Sequence, residues 1–154
     1  MKKTPNAQHR TSNIELIAFS PTLRELPHSD YAGRKGRTFD LEDRLLEFAV
    51  QIIDVTDGLP NTRAANHVAG QLLRSGTSPY GNHGEVESAE SRKDFVHKLK
   101  VCLKELRETR RWLRLAGRLK RLSNPPNPGE CIGEAEELIR IFVASIRTAE
   151  KNDK

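Results

Sequence analysis

The chain has 154 residues, of which 26 are Lys or Arg and 21 are Asp or Glu, and only 5% are aromatic. This length suits one domain with a buried core, and the absence of any β-branched run of strand length favours an all-helical fold. No apolar run reaches the roughly 18 residues of a transmembrane helix, so no membrane span is expected. Two cysteines are too few for a disulfide framework.

Residues 1–39 mix prolines and glycines with scattered charge and show no sustained hydrophobic period. This composition predicts a largely disordered N-terminal extension, with residues 40–154 forming the folded domain. One apolar piece, residues 14–19, is a candidate for docking on a partner. The lysines at positions 2 and 3 are not followed by the apolar region of a secretory signal, so we expect a cytoplasmic protein.

The first helical pattern begins at Asp40, a suitable N-cap residue. Glu42 and Asp43 follow in a first turn, where the helix dipole favours acids. Gly58 and Pro60 predict the end of this helix. Its predicted core positions are Leu41, Leu45, Phe48, Ile52, Val55 and Leu59.

A second helix is predicted after Asn61 or Thr62, either of which suits an N-cap. Its predicted inward positions are Ala65, Val68, Ala69, Leu72 and Leu73. Pro79 and nearby glycines weaken a helix locally, and an interior proline alone costs about 3 kcal/mol. The local pattern therefore ends this helix near Ser75.

The third predicted helix is the longest and runs from Ser91 to Leu122, with Ser91 as N-cap and Asp94 at the capping-box position. Apolar residues recur along it at alternating spacings of four and three, which places them on one face. These predicted core residues are Phe95, Leu99, Cys102, Leu106, Thr109, Leu113 and Ala116.

A second register of the same helix, two residues out of phase, is mostly cationic. We call its nine members the basic stripe: Lys93, His97, Lys100, Lys104, Arg107, Arg111, Arg114, Arg118 and Arg121. Residues 90–121 contain 12 basic and 4 acidic residues, a net charge of +8. Such a face can bind the phosphates of a polyanion. The alternative is a solvated face neutralised by Glu108 or by acids of residues 40–57.

A proline-rich loop at residues 124–129 ends the third helix, and a fourth helix is predicted from about Ile132. Three acids, Glu134, Glu136 and Glu137, fall in its predicted first turn. Its inward positions are Ala135, Ile139, Phe142, Ile146 and Ala149. Four amphipathic helices with short loops predict an antiparallel up-down four-helix bundle.

Several short motifs occur in an order that resembles a known family. They are Gln71–Ser78, then Asn82 and Glu85, then Asp94–Leu99 and Lys104–Glu108. The pattern resembles the bacterial 23S ribosomal RNA intervening-sequence proteins and is similar to the accessory variability protein of diversity-generating retroelements. The resemblance spans about residues 40–149. It implies a four-helix bundle that forms a homopentamer with a basic surface and has no established enzymatic activity.

The resemblance implies two further features. The retroelement relatives bind nucleic acid and a reverse transcriptase, so both classes of partner are expected candidates. In the family the second helix continues farther, so its end moves to about Ser88, against the local pattern.

Ser78, Asn82 and Glu85 then fall at i, i+4 and i+7 on one helical face. We interpret them as a structural hydrogen-bond network rather than a functional site, because buried polar groups need partners. Its predicted further members are Arg74, Lys98 and Glu105.

Trp112, Leu115 and Leu119 lie off both stripes of the third helix. They exceed the roughly three apolar positions in seven that a bundle helix needs. We interpret them as an oligomer interface.

No catalytic or metal-binding constellation emerges from the sequence. Asp94 with His97, and His83 with Glu87, have helical spacing but supply too few ligands for a metal site. We therefore expect a protein without cofactor or enzymatic activity. The favoured function is a homo-oligomeric scaffold that binds RNA or DNA, and the alternative is a structural protein–protein adaptor.

Overall fold

The computed structural model describes residues 41–119 and 128–151. They form four helices: α1 Leu41–Asp57, α2 Arg63–Glu87, α3 Arg92–Ala116 and α4 Pro128–Lys151. No strand occurs in these two ranges, so the predicted all-helical fold of four helices is confirmed. The predicted extension at residues 1–39, the N-cap at Asp40 and Arg121 of the basic stripe all lie outside the described residues.

The four helices share one apolar core, and α3 packs against both α2 and α4. The predicted apolar stripe of α3 faces this core: six of its seven members are buried, and Phe95 is half-buried against the others. From the other helices, Phe48 of α1, Leu72 of α2 and Phe142 of α4 are all fully buried. The stripe of α3 is thus enclosed by side chains from every other helix.

In two pairs of neighbouring helices, residues near the start of one helix contact residues near the end of the other. His67 of α2 meets Trp112 of α3, and farther along α2 the Pro79 carbonyl lies near Cys102 of α3. Between α3 and α4, the earlier Lys100 pairs with the later Glu150, and the later Arg110 pairs with the earlier Glu136. These two pairs of neighbours are therefore antiparallel, and the up-down order of all four helices stays a prediction.

Helix α2 continues through Pro79, as the resemblance implied and against the local pattern. Thr62 is its N-cap, since the Thr62 hydroxyl accepts a hydrogen bond from the Ala65 N–H at 3.2 Å. Pro79 is fully buried, and the buried residues Leu72 and Val86 flank it. Packing on both sides of the proline therefore outweighs its local cost of about 3 kcal/mol.

Leu73 of α2 was predicted to face the core but is 41% exposed. Its neighbour Leu72 is fully buried. Successive residues of a helix point about 100° apart, and Leu73 lies on the solvent side of the edge of the core-facing stripe.

Helix α3 begins as predicted and ends earlier than predicted. The Ser91 hydroxyl accepts a hydrogen bond from the Asp94 N–H at 3.1 Å. At the other end the helix stops at Ala116 rather than Leu122, with Gly117 as C-cap. The N–H of Arg118 and that of Leu119 each donate to a carbonyl three residues back, at 3.0 Å. This tight turn replaces the helical bonding pattern.

Helix α4 begins at Pro128, earlier than the predicted Ile132. Proline suits the first helical position because its φ angle is already helical and it has no N–H to leave unpaired. Glu130 is consequently the acid of the first turn, and Glu134, Glu136 and Glu137 lie farther along the helix. The predicted inward residues are buried, except that Ile139 is half-buried, and the buried Leu138 was missed.

Cys102 of α3 and Cys131 of α4 are buried free thiols. Desolvation by burial is the main cause that raises the pKa of Cys102 to about 12 and that of Cys131 to about 11. Cys102 was predicted to lie in the core, and this environment keeps its thiol protonated and unreactive.

Candidate nucleic-acid interface

The basic stripe lies on the solvent-exposed side of α3. Its exposed members are Lys93, His97, Lys100, Lys104, Arg107, Arg111 and Arg114 on the helix and Arg118 in the turn after it. Because α3 ends at Ala116, the helical register does not extend to Arg118. The helical part of the stripe, from Lys93 to Arg114, therefore spans about six turns in which cations recur on one side.

Within residues 41–119 and 128–151, most of these cations have no acidic partner. Lys100 Nζ lies 2.7 Å from Glu150 Oε1 of α4, in a pair whose two side chains are both about half exposed. Among the described residues, no ion pair involves Lys104, Arg107, Arg111 or Arg114. These four positive charges are consequently open to solvent and to ligands.

Neither of the predicted sources of neutralisation supplies a partner for these charges. Glu108 was predicted to neutralise Lys104 and Arg111. Its Oε1 atom instead binds Arg74 Nη2 of α2 and accepts a hydrogen bond from Trp112 Nε1 at 3.3 Å. Within the described ranges, no ion pair joins the basic stripe to the acids of α1 either.

An open groove of about 570 Å³ runs along α3 beside the basic stripe. Its lining residues are Lys104, Arg107, Glu108, Arg111, Trp112 and Leu115. Their spacings of three and four residues place all of them on one side of the helix. The groove therefore combines three cations with one carboxylate, an indole ring and an apolar side chain.

Trp112 is the single tryptophan of the chain. Its half-buried ring is held at two points, by the hydrogen bond to Glu108 and by an edge-to-face contact with His67 of α2, with ring centroids 6.1 Å apart. Trp112 and Leu119 both pack partly against the core of their own subunit, whereas Leu115 is 45% exposed. The predicted oligomer interface of these three residues stays a prediction.

The six residues predicted to form a polar network are not joined into one by the structure. Asn82 Nδ2 donates to Ser78 Oγ at 3.0 Å, within α2. Arg74 Nη1 lies 3.5 Å from Glu105 Oε2, across the α2–α3 contact. The side chain of Glu85 is exposed.

Lys98, the sixth predicted member, pairs within its own helix, with its Nζ atom 2.9 Å from Asp94 Oδ2. This hydrogen bond, followed by one from the Glu90 N–H, holds the pKa of Asp94 below its ordinary value. The pair therefore belongs to the N-terminal turn of α3, away from the α2–α3 contacts of Arg74.

The sequence reasoning missed an exposed apolar row on α1. Leu46, Val50 and Ile53 are 41%, 44% and 41% exposed and fall at i, i+4 and i+7. The spacing was visible in the sequence beside the core-facing residues of the same helix. The contacts of His67 with Trp112 and of Arg74 with Glu108 carried no such signal, because α2 brings these two residues to α3 only in the fold.

The described part of the chain contains no group of His, Cys, Asp or Glu that suits a metal ion. His83 is buried, with its ring edge-to-face with Phe142 at 6.5 Å, while Glu87 and His97 are exposed. No helix in residues 41–119 and 128–151 is long and apolar enough to cross a membrane.

Comparison with known proteins identifies the family. The profile of the 23S rRNA-intervening sequence protein family matches residues 38–144. A solved structure, of a protein with unknown function from the S23 ribosomal protein family of Bacteroides thetaiotaomicron VPI-5482, is similar with a TM-score of 0.62 and 34% sequence identity. The match covers 70% of this chain and 98% of that chain. A comparison with curated proteins finds no match. The resemblance inferred from the motifs is thus confirmed, and the chain belongs to the 23S rRNA-intervening sequence protein family.

Proposed function

We propose that this protein is a homo-oligomeric scaffold that binds nucleic acid, RNA or DNA, through the basic stripe of α3 and catalyses no reaction. The observation that carries the proposal is the set of exposed cations without acidic partners: Lys104, Arg107, Arg111 and Arg114. A structural role in ion pairing would require acids opposite these side chains, and among the described residues none are paired with them.

The expected binding is electrostatic and tolerant of sequence. Lys104 and Arg114 are separated by ten residues, or about 15 Å along the helix axis. Cations along such a line contact phosphates and release the counterions condensed on a polyanion, so affinity falls steeply as salt rises. A single row of cations on a helix carries no geometric code for bases, since sequence is read at base edges.

Self-association of the chain should strengthen its binding to nucleic acid. Each subunit repeats the basic stripe, so a polyanion long enough to reach two stripes gains affinity through effective concentration. We propose that a second copy of the chain covers the apolar row Leu46, Val50 and Ile53 of α1. The row is the largest set of exposed large hydrophobic residues on one described helix, and its burial in an oligomer removes apolar area from water.

The test replaces three stripe arginines in one variant: Arg107→Glu, Arg111→Glu and Arg114→Glu. A matched control replaces three exposed cations outside the stripe, Arg63→Glu, Arg147→Glu and Lys151→Glu, and so changes the net charge equally. Binding to labelled RNA and DNA strands is measured by fluorescence anisotropy at low salt. The family's name refers to 23S rRNA, so RNA carrying that sequence is one of the probes.

We expect the stripe variant to lose binding and the control to retain it, with helicity and oligomer size unchanged in both. Unchanged affinity of a correctly assembled stripe variant would remove α3 as the binding surface. Absence of binding by the unmodified protein at low salt would instead favour the adaptor function. Unfolding of the stripe variant alone would show that these arginines hold the fold together.

A further inference from the structure

We propose that the groove on α3 binds single-stranded nucleic acid, with one unpaired base stacked on Trp112 and neighbouring phosphates on Lys104, Arg107 and Arg111. This inference rests on the proposed function and adds to it the strand state of the ligand and an aromatic contact. The basic stripe alone would accept any polyanion, whereas an indole ring among the cations distinguishes a free base from a paired one.

The groove has the composition of a surface that binds single strands. Surfaces that bind single strands combine a positively charged track for the backbone with aromatic rings on which bases stack. Here Arg111 and Trp112 are adjacent in the chain, and Arg107 and Leu115 lie one turn away on either side. In a duplex the base faces are already stacked inside the helix, so a ring in a surface groove reaches them only when the strand is unpaired.

The indole ring of Trp112 is held in a fixed position. Trp112 donates its indole N–H to Glu108 at 3.3 Å, and its ring lies edge-to-face with that of His67, with ring centroids 6.1 Å apart. A ring whose orientation is already set loses little side-chain freedom when a ligand stacks on it. The exposed Leu115 beside it supplies apolar surface for the same base or its sugar.

The negative charge in the groove is paired with a cation from another helix. Glu108 is the one carboxylate that lines the groove, and a free carboxylate would repel phosphates. Arg74 of α2 binds this carboxylate, and Arg74 also lies 3.5 Å from Glu105, which is buried. Arg74 thereby offsets the negative charge of Glu108, and the three lining cations remain available to phosphates.

The volume of the groove suits a small organic group. A volume of about 570 Å³ falls within the range of clefts that hold small organic ligands, roughly 300–1,000 Å³. A single nucleoside unit fits such a space, while the open shape of the groove lets the strand continue at both ends. The ligand class is therefore a continuous single strand, of which one unit enters the groove.

The experiment uses the full chain and the emission of its only tryptophan. The probes are oligo(dT) and oligo(U) strands, and DNA duplexes that carry the same number of phosphates. We expect the single strands to quench Trp112 emission and the duplexes to leave it unchanged. At equal phosphate number we expect the single strands to bind about tenfold more tightly, which is on the order of one base stacked on an aromatic ring.

Three variants accompany the unmodified protein. Trp112→Leu should lower single-strand affinity to that of the duplex, and Trp112→Phe should retain part of the preference. Tyr80→Leu is the matched control, since Tyr80 is an exposed aromatic residue of α2 that does not line the groove. The quenching measurement needs no substitution, so it tests the site even where Trp112→Leu weakens the fold.

The outcomes separate this inference from the proposed function. Equal binding of single strands and duplexes without quenching overturns the groove site and leaves the basic stripe as the binding surface. Loss of all binding overturns the proposed function as well. Emission that changes with protein concentration but not with added strands means that a second copy covers Trp112, which also overturns the site.

Discussion

At the scale of single residues, the core stripe of α3 has the least tolerance for change. Leu99 and Leu106 are 1% and 0% exposed, and α3 packs against α2 on one side and α4 on the other. A side chain enclosed in this way has no solvent-facing direction into which neighbours can relax. Truncation there leaves a cavity as well as losing apolar contact.

We therefore expect Leu106→Ala to lower the free energy of unfolding by about 2–5 kcal/mol, measured by urea titration. Leu115→Ala is the control on the same helix, because Leu115 is 45% exposed. Its expected effect is within about 0.5 kcal/mol. A loss below about 1 kcal/mol for Leu106→Ala would contradict the placement of this stripe in the core.

At the scale of helices, α1 and α2 approach closely at Gly76. A Cβ atom on Gly76 would lie 2.6 Å from Ile52 Cγ2 and 2.8 Å from Ile52 Cγ1. Ile52 is fully buried and β-branched, so it has little freedom to move away. By contrast, a Cβ on Gly70 of the same helix would have no neighbour within 4 Å.

The same substitution should consequently have opposite effects at the two glycines. Gly70→Ala removes unfolded-state freedom without a clash and should stabilise the protein by about 0.5–1 kcal/mol. Gly76→Ala should destabilise it, and the loss should be smaller in an Ile52→Ala background, because alanine lacks both Cγ atoms of Ile52 that would clash. Urea titrations of these variants measure the differences. Equal stabilisation by both alanines would show that the two helices are farther apart.

The starts of α2 and α3 were predictable because capping is local. Ser91 and Thr62 each accept an N–H three residues on, which the sequence signals directly. The continuation of α2 through Pro79 was not predictable from local preference, since packing against the other helices decides it. The end of α3 was misjudged because the apolar and cationic periods continue past Gly117, where the backbone turns.

The candidate site was predictable to a similar extent. Helical spacing alone indicated that the cations of the basic stripe share one face, and the structure places that face in solvent. The partners of Glu108 could not be predicted, because Arg74 lies on another helix and reaches Glu108 only across the α2–α3 contact. The spacing of residues along one helix could be predicted from the sequence, and the contacts between helices could not.

At the scale of the whole molecule, the basic stripe and the exposed apolar row occupy different helices. The basic stripe lies on α3, whereas Leu46, Val50 and Ile53 form their exposed row on α1. This separation allows one surface to contact other copies of the chain while the other remains available to a polyanion. The proposed scaffold requires both surfaces at once.

We expect light scattering at micromolar concentration to give a closed oligomer, predicted to be a pentamer, of the 17.4 kDa chain. Leu46→Glu with Ile53→Glu should lower the mass, since charges on this row cannot be buried between subunits without partners. Leu115→Glu separately tests the predicted interface around Trp112. A monomeric unmodified protein would contradict self-association through either surface.

The burial of both cysteines makes surface chemistry on this protein selective. At pH 8, thiols whose pKa values burial raises to about 12 and about 11 are almost entirely protonated. Thiolate is the species that maleimides and disulfide reagents attack, and the protein shell excludes these reagents as well. A cysteine introduced at an exposed position is therefore modified ahead of the native pair. Dyes, spin labels and cross-linkers can be attached one site at a time while Cys102 and Cys131 keep their places in the core.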